Sequence, residues 1–144
     1  MAITRNALVE LFWRVHPKLY RWTGGRIGGS IGPMPVLLLT TTGRKTGAAR
    51  TSALTYLPHG NDFVVIASVL GEPRHPKWWL NLEAKPEAIV EVGRERHAVR
   101  ARQAEGEERE RLWKDVLATM PDYEQYARRT SRRIPVVVLE RRSS

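Results

Sequence analysis

Residues 37–56, LLLTTTGRKTGAARTSALTY, constrain the fold more than any other stretch of this chain. Val36, Leu37, Leu38 and Leu39 run into three threonines, and small and polar residues then alternate toward Leu54 and Tyr56. That composition predicts two β-strands folded about a turn. Gly43 and Gly47 bound the turn and can supply positive φ, so that backbone N–H groups between them would turn inward as an anion nest. Arg44 and Lys45 lie in the turn and Arg50 on the next strand, which together predicts a phosphate or carboxylate grip. An ordinary hairpin with solvated cations explains the same residues equally directly. A Walker loop does not, because GxxxxGK[ST] must open a helix and this turn leads into a strand.

The remaining chain supplies the partners of that hairpin. Residues 4–22 repeat Leu8, Leu11, Phe12, Val15, Leu19 and Trp22 at three- and four-residue steps, which predicts an amphipathic helix interrupted at Pro17. Such a helix packs on the body of the protein or, through its basic face, rests on an anionic membrane. Thr23–Pro35 is glycine-rich, but it follows a helix and leads to a strand, the reverse of a dinucleotide fingerprint, and reads as a flexible connector. Residues 58–62 are a turn, and Phe63–Val69 is a strand apolar enough to be buried on both faces. Lys77–Ala84 is a short helix with Pro76 in its first turn. Glu87–Val92 and Arg96–Gln103 form a second hairpin about Gly93-Arg94-Glu95, and Glu105–Met120 is a helix with Leu112, Trp113, Val116, Leu117 and Met120 on its apolar face. Asp122–Thr130 is a further short helix or turn, and Ile134–Glu140 is the last strand.

Successive hairpins with few long helices argue against parallel crossovers. The expected architecture is α+β: a small β-barrel of about six mainly antiparallel strands with helices at its ends. It forms one domain, residues 1–144, in which 1–33 hold the first helix and the connector. A chain of this length can bury a real core. Its 24 Lys and Arg against 15 Asp and Glu give a formal charge of +9, which calls for an anionic partner. With no cysteine, disulfides, thiolate nucleophiles and cysteine-bound zinc are excluded, and a reducing cytoplasm suits the composition. No apolar run approaches the ~18 residues of a membrane span, so the expected protein is soluble or at most peripheral at the inner face of the cell membrane. His16, His59, His75 and His97 lack metal-ligand spacing, and no metal is expected. Arg128, Arg129, Arg132 and Arg133 form a basic run without any accompanying nucleic-acid motif; it reads as a solvated connector.

Three stretches, LLLTTTGRKTGAARTSALTYL, FVVIASVLGEPRHPKWWLNLEAKPE and PDYEQYARRTSRRIPVVVLE, resemble in order and spacing the deazaflavin-dependent nitroreductase family over about residues 34–141. The resemblance implies a split β-barrel related to FMN-binding barrels. It also implies coenzyme F420, a deazaflavin with a ribityl phosphate and an oligoglutamate tail, whose reduced form passes hydride to quinones, nitroaromatic compounds or other conjugated small molecules. On the resemblance, Arg44, Lys45, Thr46 and Arg50 grip the anionic end. Thr51, Ser52, Ala53, Leu54 and Thr55, then Ile66, Ala67, Ser68 and Val69, line the ring along two strands. Lys77, Trp78, Trp79, Leu80 and Asn81 cover it from the short helix. Adjacent helical residues point about 100° apart, so one of the two tryptophans is expected to face the ring. Tyr123, which also contacts the cofactor, Tyr126 and Ser68 are the acceptor-side donors. The chain departs from the family at Met120, where a tyrosine is frequent, and at Val69, where a lysine is frequent. The alternatives are an FMN-dependent barrel, a non-catalytic deazaflavin or hydrophobic-ligand carrier, and a basic membrane- or nucleic-acid-associated module. No nucleic-acid partner is expected; further expected partners are the membrane surface, met through residues 4–22, and a second copy in a homodimer.

Overall fold

In the computed structural model the described residues are 30–31, 34–67, 75–128 and 133–142. The predicted helix over 4–22 and most of the glycine-rich connector lie outside them. The described chain runs β1 (Ser30–Ile31), β2 (Met34–Thr42), β3 (Ala49–Thr55), β4 (Leu57–His59), β5 (Asp62–Ile66), α1 (Lys77–Ala84), β6 (Glu87–Val92), β7 (Glu95–Gln103), α2 (Gly106–Thr119), α3 (Asp122–Arg128) and β8 (Val136–Arg141).

Every strand pairing is antiparallel. β1 caps the start of β2, and from β2 the sheet continues through β6, β7, β8 and β5 to β4, with β3 on the other side of β2. β3 and β4 are separated by Tyr56 alone. A single bent stretch of chain therefore pairs with β2 in its first half and with β5 in its second, and the sheet returns on itself as a six-stranded split barrel. This is the α+β barrel that the sequence predicts.

Side-chain alternation divides each strand between two environments. Leu37 and Leu39 of β2, Phe63 and Val65 of β5, Val90, Val99, and Val137 and Leu139 of β8 share one buried cluster, the barrel interior. Trp78, Trp79 and Leu82 of α1 join it and close one end. On the outside, Val64, Ile66, Val136 and Val138 pack against Leu112 and Val116 of α2 and Tyr123 of α3. As expected, β5 is buried on both faces: Phe63, Val64, Val65 and Ile66 are all interior.

Four local details differ from the sequence reading. Ser30–Ile31 is a short strand rather than connector. Leu57–His59 is a strand in what reads as a turn, with Pro58 tolerated because β4 is at the edge, and only Gly60 and Asn61 turn. The β6–β7 turn is Gly93-Arg94, with Gly93 at φ 60°, and Glu95 already belongs to β7. Pro76 is the N-cap of α1, extended at φ −66° and ψ 149°, and not its first helical residue.

The outer face of β6 and β7 is held by charge. Arg100 pairs with Glu87 at 2.9 Å. Arg102 makes a two-pronged contact with Glu108 of α2 and reaches Glu140 of β8 at 3.2 Å, tying the helix to two strands. These bonds raise the Arg102 pKa, and the bonded guanidinium holds the Glu108 carboxyl below its ordinary value. Nearby, Arg109 donates to the Ile134 carbonyl at 2.7 Å and lies 5.8 Å from the Trp113 ring centre. Burial, with the like charge of Arg133, lowers the Arg109 pKa.

A carboxyl whose folded pKa is depressed contributes stability that is present above its ordinary pKa and lost as pH falls through the folded value. Glu108→Gln should therefore cost up to about 1 kcal/mol at neutral pH. Urea titrations of both proteins should show the difference closing below the ordinary carboxyl value of 4.5. A pH-independent difference would mean that packing, and not the ion pair, holds α2.

Candidate functional site

The residues of the β2–β3 hairpin fall on two faces that the register makes explicit. Leu39 lies opposite Ser52, Leu37 opposite Leu54 and Thr41 opposite Arg50, so Arg50, Ser52 and Leu54 share the interior-facing row. Ala49, Thr51, Ala53 and Thr55 form the outer row, a strip of small side chains about 20 Å long. Thr40 and Thr51 hydrogen-bond across the pair at 2.9 Å.

At one end of this strip is the turn. Gly47 adopts φ 74°, and its N–H donates to the Gly43 carbonyl at 2.8 Å, while the Gly43 N–H donates to the Ala48 carbonyl at 2.8 Å. A Cβ on Gly43 would come within 3.1 Å of the Ala48 carbonyl and 3.2 Å of the Thr46 hydroxyl, a tight approach that favours glycine. The Ala48 N–H is taken by Thr46 Oγ1 at 3.2 Å and the Arg44 N–H by Asn81 Oδ1 at 3.1 Å. Of the N–H groups between the two glycines, that of Arg44 is thus committed to an acceptor within the protein, as are those of Gly43, Gly47 and Ala48 at the edges of the turn. What the turn offers a ligand is side-chain charge, with Arg44, Lys45 and Arg50 exposed and in no ion pair with a carboxylate of the described residues.

The other end is marked by Tyr123. It is buried to 9% exposure against the outer face, and its phenol oxygen lies 2.9 Å from Thr55 Oγ1, across 68 residues of sequence. Ile66 packs in the same cluster as Tyr123. The remaining expected residues are placed differently. Ala67 and both tryptophans lie in the barrel interior. Lys77 is exposed at the start of α1, Leu80 is half-buried, and Asn81 is buried beneath the turn. Ser68 and Val69 lie outside the described residues. Tyr126 belongs to α3, but its side chain likewise lies outside them.

Neither the Thr55–Tyr123 bond nor the Asn81 bond has a signature in local spacing; each joins elements distant in sequence. A deazaflavin is flat at one end and carries its phosphate and carboxylates at the other. The donor set here matches that polarity: three exposed cations, then a strip of Ala and Thr, then a phenol. Tyr123→Phe keeps the buried ring and removes the bond to Thr55, and chemical denaturation should register a loss of about 1 kcal/mol. An unchanged stability would mean that the Tyr123 hydroxyl contributes nothing to holding α3 on the barrel.

Comparison with known proteins agrees with the geometry. Residues 12–141 match the model of a family described as F420H(2)-dependent quinone reductase. A Mycobacterium tuberculosis (strain H37Rv) protein named F420H(2)-dependent quinone reductase is 44% identical over 144 aligned residues, covering 97% of this chain and 96% of that one. Among solved structures, one titled F420-H2 dependent reductase (FDR-A) superposes with a TM-score of 0.68 at 38% identity, over 74% of this chain and 94% of its own. Another, titled as a domain-swapped dimer, gives 0.71 at 34% identity, over 88% and 94%. The FMN alternative gains no support, and the carrier and basic-module readings are not favoured. The chain belongs to the F420H(2)-dependent quinone reductase family, and it is a reductase that uses reduced F420 as its hydride donor.

Proposed function

We propose that the outer face of β3 is where this reductase holds its cofactor, with the anionic end at the 43–50 turn and the ring toward Thr55 and Tyr123, and that its acceptor is a quinone. The observation that carries the reading is that one strand joins an exposed, acid-free cation cluster to a hydrogen-bonded phenol. Charge distribution supports it. Residues 11–61 contain no Asp or Glu; residues 1–61 carry eight Lys or Arg against one acid, and residues 62–144 carry sixteen against fourteen. The surplus of positive charge is thus concentrated in the part of the sequence that includes the turn.

When bound, the reduced deazaflavin supplies a hydride. Every other task falls to the chain. Arg44 and Lys45 bind phosphate and carboxylates, Arg50 reaches the same end from the opposite row, where it is exposed, and Thr51 and Thr55 give hydroxyls beside a flat ligand. Ala53 keeps the strip low enough for a planar ring to approach the strand. Thr55 fixes the direction of the Tyr123 phenol, which we assign to hydrogen-bond the acceptor oxygen as charge develops on it. Among the described residues no helix is long and apolar enough to cross a membrane. We place the protein in the cytoplasm, meeting a lipophilic quinone at the inner face of the membrane, to whose anionic lipids a charge of +9 is attracted.

Turnover of reduced F420 with soluble quinones tests the activity, and no oxidation by any quinone would sink the acceptor assignment. Lys45→Ala tests the placement. Fluorescence titration at low salt should show affinity for F420 reduced about tenfold, with the deficit shrinking as salt screens the lost charge. Wild-type affinity at every salt concentration would remove Lys45 from the site.

A further inference from the structure

Thr41 and Asn81 are the buried polar side chains of the described residues, at 2% and 6% exposure, and they are bonded to each other. Asn81 Nδ2 donates to Thr41 Oγ1 at 3.0 Å, and Asn81 Oδ1 accepts the Arg44 N–H at 3.1 Å. One amide therefore spans from the end of β2 to the first residue of the cationic turn, and both of its functional ends are used. Asparagine is a poor helix former, yet it occupies the fifth residue of the eight-residue α1, between Trp79 and Leu82 of the barrel plug. Helix propensity and apolar packing both disfavour it there, so its retention has to be explained by the two bonds.

We infer that Asn81 is a positioning residue for the anion-binding turn: it fixes the Arg44 backbone on the rigid end of the barrel, and so fixes where the Arg44 and Lys45 charges stand. This inference rests on the placement of the cofactor's anionic end at that turn. The turn's other bonds, Gly43 to Ala48, Gly47 to Gly43 and Ala48 to Thr46, are all internal to it. They set its shape but not its orientation on the barrel. The strand ladder holds the base of the turn as far as Thr42 opposite Ala49, and the Asn81 bridge adds a restraint beyond it, tying the Arg44 N–H within the turn to α1. A pre-oriented cation pair binds a phosphate and carboxylate tail without first losing the freedom of a swinging hairpin.

A structural role would weaken every ligand alike, whereas a positioning role weakens only what the turn holds. The test is fluorescence titration of two ligands, F420 and its ribityl chromophore lacking phosphate and glutamates. The proteins are wild type, Asn81→Ala, Lys45→Ala, the double variant and Thr41→Val. Asn81→Ala should lose about tenfold in affinity for F420 and nothing for the truncated chromophore. Adding it to Lys45→Ala should cost less than the same substitution in the wild type, because the two changes act on one interaction. Thr41→Val, which removes only the far bond and keeps the side-chain volume, should lose about threefold on F420 alone, and it serves where Asn81→Ala folds poorly. Equal losses for both ligands, or none, overturn the inference. A wild type that binds the truncated chromophore as tightly as F420 overturns instead the placement of the anionic end at this turn.

Discussion

The structure depends on one bent stretch of backbone. Residues 49–59 hydrogen-bond to β2 before Tyr56 and to β5 after it, and without that change of partner the sheet would be an open antiparallel ribbon with two long edges. The bend closes the interior around Leu37, Leu39, Val65, Val90 and Val137, whose burial is the main favourable term. It also leaves β3 and β4 each paired with one strand of the described sheet. The outer row of β3 is thus presented by a rigid scaffold, the general condition for a site that must hold a ligand without reorganising.

Much of this was legible in the sequence, because hairpins announce themselves locally. Gly43 and Gly47, Gly60, and Gly93 punctuate apolar runs of strand length, and each of Gly47, Gly60 and Gly93 takes positive φ. Helix α1 was equally plain between Pro76 and Pro86, and α2 from its apolar spacing. What local pattern could not supply was the identity of faces. Thr40, Thr41 and Thr42 are three identical residues in a row, and only the register shows that Thr41 turns toward Asn81 while Thr40 meets Thr51. The tryptophan pair shows the same limit: adjacent helical residues point about 100° apart, yet Trp78 and Trp79 share one buried cluster.

The candidate site was legible as chemistry and not as geometry. The cations and the tyrosine could be named from resemblance, but the partners that orient them lie 37 and 68 residues away. The backbone of the turn was not legible either, because the Arg44 N–H is taken by an acceptor on a distant helix. A turn this tight can satisfy its own N–H groups, and buried or half-buried amides pair with whatever acceptor is nearest. Four N–H groups in and beside the turn are spent on its shape and anchorage.

The charge ladder on β6, β7 and β8 carries a consequence of its own. Arg100 with Glu87, and Arg102 with Glu108 and Glu140, neutralise one another on β6, β7, β8 and α2, so that face contributes little net field. Among the described residues, the uncancelled cations at the β2–β3 hairpin then stand out as a positive pole. A polyanionic ligand approaching such a surface is drawn toward the hairpin before any contact forms. Neutrality along the ladder thereby becomes a device for steering toward the hairpin.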